Sequence, residues 1–147
     1  MQIRRPRALV LMALGALSTA ACGFFDDPTP ETLFFTLDGP AGTELQVVYS
    51  TQFVAGVNDF GVTQVQVFQA DTVMQTLPID TLFNISIDRR WFVEVTPVGT
   101  AQVSVEARVD VDDRNQLRET GAILAADPWR FAYLFNQAVT RTIDIVL

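Results

Sequence analysis

The chain has 147 residues and a formal charge of −7, with ten arginines, no lysine and no histidine. Without histidine the commonest general base and metal ligand is missing, which excludes Ser-His-Asp, Cys-His and His-metal sites. The one cysteine excludes an internal disulfide, and the acidic balance argues against a nucleic-acid partner, whose binders carry a basic face that displaces counterions.

The length suits one domain with a real core. The positive mean hydropathy raises the question of a membrane span. The longest apolar run, Ala8 to Leu17, is about half of the roughly 20 residues that a bilayer crossing needs, so no transmembrane helix is expected. The use of arginine alone for positive charge reads as a codon-composition bias.

In chain order, Arg4, Arg5 and Arg7 form a positive n-region, Ala8 to Leu17 an apolar h-region, and Ser18 to Ala21 a run of small residues. This is the grammar of an export signal. The run ends in Cys22, and here the sequence resembles the lipobox of bacterial lipoproteins: Ala20, Ala21 and Cys22 match the motif, while Thr19 stands where an aliphatic residue is usual. The resemblance implies a signal peptide over 1–21, a diacylglyceryl group on the Cys22 thiol and cleavage before that residue. It also accounts for an unpaired cysteine in an exported chain.

Two other readings of this segment are ordinary cleavage after Ala20 or Ala21, which would leave a soluble protein, and a twin-arginine signal beginning at Arg4-Arg5. All place the domain outside the cytoplasm. After cleavage, seven arginines would face seventeen carboxylates, a formal charge of −10. Gly23 rather than Asp follows the cysteine, which by analogy with enteric bacteria points to the outer membrane, facing the periplasm. Phe24 and Phe25 lie beside the expected acyl chains, and the two prolines between Asp26 and Thr32 disfavour helix. Residues 22–32 therefore read as a lipidated tether, and 33–147 as the domain.

From Leu33 onward the apolar residues recur at every second position, the period of a half-buried strand. Val103, Val105, Ala107, Val109 and Val111 alternate with polar residues over 102–111. Leu45, Val47 and Tyr49 form a second inward set, Phe83, Ile85 and Ile87 a third, and Trp91, Val93 and Val95 a fourth. Phe131, Tyr133 and Phe135 make a fifth, and Ile143, Ile145 and Leu147 a sixth. Turn residues cluster at 38–42, 55–59, 97–99, 112–115 and 127–128. The pattern predicts an all-β, immunoglobulin-like β-sandwich of about eight strands, with a small β-barrel as the alternative. Trp91 and Trp129 are expected in its core.

Few residues invite a chemical reading. Asp110, Asp112, Asp113 and Asn115 could offer oxygens to Ca²⁺, but Arg114 interrupts the set and the glycine of a calcium loop is missing, so a solvated hairpin turn is expected. Arg89-Arg90 before Trp91-Phe92 reads as strand-end solvation, with a basic-aromatic contact patch as the alternative. Asn84-Ile85-Ser86 fits a glycosylation sequon that has no expected meaning in a bacterial lipoprotein. Gln64, Gln66 and Gln69 around Val65 and Val67 read as an exposed strand face open to β-strand addition. No catalytic residue, cofactor or metal is expected.

Phe35 to Gly39, Leu45 to Ser50, Val103 to Asp110 and Phe131 to Phe135 together resemble the strand order of small periplasmic accessory domains similar to the MmpS family. That resemblance implies a sandwich fold and a role beside lipid-exporting transporters. Members of that family are held by a transmembrane helix and carry cysteines, whereas this chain has a lipobox and no cysteine in its domain.

The sequence thus leads to a non-enzymatic envelope lipoprotein, anchored to a membrane and binding an envelope protein or lipid. The alternatives are a carrier of an apolar ligand or a transporter accessory subunit, and a carboxylate-pair hydrolase is a distant third.

Overall fold

A computed structural model of the chain describes residues 29–60, 62–99, 101–135, 137–140 and 143–145, with side chains through Phe135. The signal-peptide and lipobox expectations, including Cys22, and Leu147 of the last apolar set lie outside the described residues. Among those described there is no helix; all regular structure is strand.

The strands are β1 (Thr32–Asp38), β2 (Glu44–Val57), β3 (Thr63–Thr76), β4 (Ile79–Asn84), β5 (Arg90–Pro97), β6 (Val103–Val111), β7 (Arg114–Ile123) and β8 (Trp129–Leu134). Two short additions follow, β9 (Gln137–Thr140) and β10 (Ile143–Ile145). The first sheet has the order β4-β1-β6-β7 and the second β10-β3-β2-β5-β8-β9. All pairings are antiparallel except the short β10–β3 contact.

The two sheets face each other as the expected sandwich, not as a closed barrel. β1 and β2 lie in opposite sheets, whereas the first two strands of an antibody constant domain share one.

The alternation read from the sequence is what fills the space between the sheets. Leu33, Phe35 and Leu37 of β1, Leu45 and Val47 of β2, Trp91, Val93 and Val95 of β5, the odd-numbered valines of β6, and Trp129, Phe131 and Tyr133 of β8 are all buried in one cluster. At its centre, Phe35 stacks on Trp129 at 5.8 Å and 12° and lies 5.4 Å from Trp91. Tyr49, Phe83 and Phe131 close around Trp91 at 5.9, 5.0 and 6.2 Å. Each such aromatic pair adds about 0.5–1.5 kcal/mol beyond area burial.

Trp129 Nε1 donates to Glu119 Oε1 at 2.5 Å, while buried Trp91 Nε1 has no hydrogen-bond partner. Gly39 lets β1 leave the core under the β3–β4 crossing, because a Cβ there would come within 2.8 Å of Leu77 and 2.9 Å of the Ser104 carbonyl.

The third predicted inward set needs correction. Phe83 is half-buried and Ile85 buried, but β4 ends at Asn84, and Ile87 is 89% exposed in the loop that crosses to β5. The Asn84 carboxamide, accepting from Ser86 N–H at 3.0 Å and Ser86 Oγ at 2.6 Å, turns the chain out of the strand before a third inward residue is reached. Phe135 is half-buried in the turn after β8.

The β2–β3 hairpin is the unusual element. Each arm has 14 residues, about 46 Å at 3.3 Å per residue, while β5 pairs with β2 only over Leu45–Ser50. The register shifts on either side of Gln52, where the buried Ser50 hydroxyl bridges the arms. It donates to Gln69 O at 2.5 Å and accepts from Gln52 N–H at 2.9 Å.

Before this irregularity Leu45, Val47 and Tyr49 face the sandwich. Beyond it Phe53, with Val65, packs on Phe92 and Ala132 in a second cluster, flanked by Ala55, Val67 and Leu134. Phe92 neighbours Trp91 in a strand and so must face the opposite side of the sheet.

The C-terminal strands explain how that opposite face is enclosed. β9 and β10 stand at the two ends of the six-strand order, roughly 24 Å apart if the sheet were flat. Thr140 and Ile143 are three Cα steps apart, at most about 11 Å. The sheet therefore curls at one end until its edges approach, around the Phe53–Phe92 cluster.

Candidate functional site

The acidic run forms the β6–β7 turn, with Asp112 and Asp113 at φ 45° and 62°, the backbone of a tight hairpin. Asp110 and Asp112 are engaged within the fold. Asp110, buried, pairs with Arg108 at 2.7 Å and accepts from Asn115 Nδ2 at 2.9 Å.

Asp112 reaches across to the start of β1, accepting from Glu31 N–H at 3.1 Å, Thr32 N–H at 2.9 Å and Thr32 Oγ1 at 3.1 Å. Desolvation works to raise its pKa, but the hydrogen bonds from Thr32 and Glu31 and the Arg114 charge together hold it below the usual carboxylate value. Of the residues weighed as cation ligands, Asp112 thus clamps the first strand. Among the described residues no group of three or more His, Cys, Asp or Glu is placed to hold a metal ion.

Arg90 is likewise occupied, donating from Nη1 to the Phe53 carbonyl at 2.8 Å and from Nε to the Asp88 carbonyl at 3.2 Å. The Arg89-Arg90-Trp91-Phe92 run is therefore divided. Arg89 is exposed at φ 53°, Arg90 ties the hairpin to β5, and the two aromatics enter different clusters. Tyr49, pushed up to about 12 by burial against the lowering effect of a Thr81 hydrogen bond, stays a phenol and donates to Gln75 Oε1 at 2.9 Å.

Gln64, Gln66 and Gln69 of β3 divide between two grooves. Gln64 and Gln66 flank buried Val65, and together with Val54, Ala55 and Gly56 they line a shallow groove of about 260 Å³. Gln69 lies within the irregularity, paired with Gln52. With Val48, Val67, Phe68, Ala70, Phe92 and Glu94 it lines a more apolar groove of about 300 Å³ on the outer face of the second sheet.

Glu94, at the groove's rim, pairs with Arg130 on the neighbouring strand at 2.6 Å. Sequence reading missed this groove, although two aromatics side by side at 91 and 92 in an alternating strand signal that the outer face carries apolar surface.

β10 covers β3 only over Thr63–Val65. From Gln66 to Thr76 the outer edge of β3 has no strand partner among the described residues. This stretch bears one charge, Asp71, and exposes Phe68 and Met74. Its backbone N–H and C=O groups form a ready template for another strand.

No helix among the described residues is long and apolar enough to cross a membrane. No family model matches the chain, and neither a curated protein nor a solved structure matches it.

Proposed function

We propose that the chain is a cell-envelope lipoprotein, anchored through Cys22, whose β-sandwich is a non-enzymatic interaction module. The observation that carries the interaction reading is the edge of β3 from Gln66 to Thr76, long, nearly uncharged and unpartnered among the described residues. Natural sheets usually blunt such an edge with charge, proline or cover. An extended segment of another envelope protein would add here as a further strand, gaining main-chain hydrogen bonds along the edge and side-chain contacts in the groove around Phe68 and Phe92. The anchor would hold the edge within reach of membrane proteins.

The test is in two stages. Intact mass and membrane partitioning, compared with Cys22→Ser, read the anchor: cleavage before Cys22 with acyl chains added is expected, and an unacylated soluble product overturns it. A photo-crosslinker at Phe68 of the full chain, in envelopes of a bacterial host, then reads the edge. Cross-linking is expected to be lost in Thr72→Lys and Thr72→Pro, which charge or interrupt the edge. Equal capture by a crosslinker on β7 at Arg118, insensitive to these changes, would overturn strand addition.

A second reading rests on the same outer-face groove, whose lining of Val48, Val67, Phe68, Ala70 and Phe92 suits an apolar ligand. It predicts saturable binding of a fluorescent fatty acid that Phe68→Asp abolishes and Thr72→Lys leaves intact, which separates a carrier from a strand acceptor.

A further inference from the structure

We infer that one end of the sandwich, marked by Val57, Phe60 and Ile87, lies against the bilayer; this rests on the lipoprotein reading of Cys22. Strand directions gather four features at that end. β1 starts there, β4 finishes there at the Thr32–Asn84 pair, and the β6–β7 turn sits beside them through the Asp112 clamp. The β4–β5 loop carries the chain across to the second sheet, where Arg90 meets Phe53. The β2–β3 turn projects further in the same direction, since β2 runs on from Phe53 to Val57 after β5 has ended.

Three large apolar side chains stand out from this end, Phe60 at 90%, Ile87 at 89% and Val57 at 70% exposure. They sit on built turns. Asn58 Oδ1 accepts from Phe60 N–H at 3.0 Å and Val62 N–H at 2.9 Å, and Asn58 N–H donates to Val62 O at 3.0 Å. The loop bearing Ile87 is closed by Arg89 N–H to Ile85 O at 2.8 Å and held to the first strand by Ile85 N–H to Glu31 O at 2.9 Å. Side chains displayed this way by fixed backbone are presented, rather than left over from an unfinished core.

The tether enters at this end. Thr29, the first described residue, is seven residues after Cys22, a reach of at most about 25 Å, and the chain joins the sandwich here at Thr32. The opposite end lies a further strand length away, about 23 Å for the seven residues of β1. A tether leaving beside Ile87 thus lets this end meet the membrane with the least extension of the chain, whereas the Val98 end could do so only with the tether drawn out by about a strand length.

Charge does not provide the attraction, because Asp59, Asp88 and Asp113 accompany Arg89 and Arg114 around the apolar tips. The contact is interfacial insertion of apolar side chains. It orients a protein whose acyl chains already hold it, and it fixes the direction in which the β3 edge points.

The experiment uses the acylated full chain in vesicles of phosphatidylethanolamine and phosphatidylglycerol. Nitroxides are placed at Phe60→Cys, Ile87→Cys and, as the far-end control, Val98→Cys. Acylation consumes the Cys22 thiol, so the introduced cysteine is the only site that labels. At 60 and 87, accessibility to oxygen relative to a polar nickel complex is expected to be several-fold higher than at 98, and little changed by salt.

Wild-type protein that takes up label and lacks acyl mass would sink the anchor itself. Acylated protein whose labels at 60 and 87 are as water-accessible as at 98 would overturn the orientation alone. So would labels there shielded from both reagents, which would mark a protein contact instead.

Discussion

The two halves of the β2–β3 hairpin belong to one continuous ribbon yet solve different problems. The half nearest Glu44 and Thr76 sits under the first sheet, and its inward residues Leu45 and Val47 share a core with twenty or so side chains from both layers. The half toward Val57 and Thr63 has no opposing sheet. Its apolar residues turn to the other face, and the curl of the sheet itself encloses a cluster of four buried residues with three partly buried ones around them. The irregularity bridged by Ser50 resets the alternation of β2, so that Leu45 and Val47 face one core before it and Phe53 faces the other after it.

The difference should be plainest in mutants. Trp91→Ala, at the centre of the larger core, is expected to cost about 4 kcal/mol in urea unfolding, with near-ultraviolet circular dichroism and fluorescence lost together. Trp91→Phe sharpens the point. It removes some volume but also a buried N–H without a partner, a group whose desolvation costs about 1–3 kcal/mol, so its net loss should stay below about 2 kcal/mol. If the two substitutions cost the same, the indole N–H has a partner after all.

Phe53→Ala probes the smaller cluster. A loss of about 3 kcal/mol is expected, at the low end for a buried aromatic, because few fixed neighbours surround the cavity. The consequence should be local. Amides between 53 and 67 should exchange faster while those of Leu45 to Tyr49 keep their protection. Uniform acceleration through both halves would mean that the hairpin opens as one unit and that the two clusters are not separable.

What could be read from the sequence follows the same division. The first half obeys strict alternation against an opposing sheet, so spacing alone places Leu45, Val47, Trp91, Val93 and the β6 valines correctly. In the second half the phase changes at an irregularity bridged by a serine hydroxyl, which no period reveals, and the turn expected at Ala55 begins only after Val57.

Ile87 misleads because it continues the spacing of Phe83 and Ile85 past the point where Asn84 turns the chain. The acidic turn is legible as a hairpin, but its clamp on Thr32 depends on a contact 80 residues distant in the chain. The outer-face groove depends likewise on strands that only the fold brings together.

Ser50→Ala tests the reset directly. It leaves the Gln69 carbonyl and the Gln52 N–H without the hydroxyl that bridges them, at a cost of about 1–3 kcal/mol. The expected signature is a smaller change at Leu45 and Val47 than at Phe53 and Val67, followed by amide chemical shifts. A variant with full stability and unchanged shifts beyond Gln52 would show that the bulge is set by the packing of Phe53 and not by Ser50.

The smallest effect is expected at Asp112, where the two regions are not in competition and only the entry of β1 is at stake. Its carboxylate is held more acidic in the folded chain than its ordinary value of 3.8, so the unfolded state binds the proton more readily. The stabilisation is therefore complete above about pH 5 and is lost as the pH falls through the ordinary and then the lower folded value. Asp112→Asn suits the positive φ of the site and retains an acceptor oxygen for the Thr32 N–H, but it cannot titrate. Wild type should lose stability more steeply than the variant between about pH 5 and about pH 2, with the curves converging at the acid end. At neutral pH the variant should be less stable by less than the Ser50→Ala loss. Parallel curves across that range would show that the clamp holds β1 by geometry alone, with no contribution from its charge.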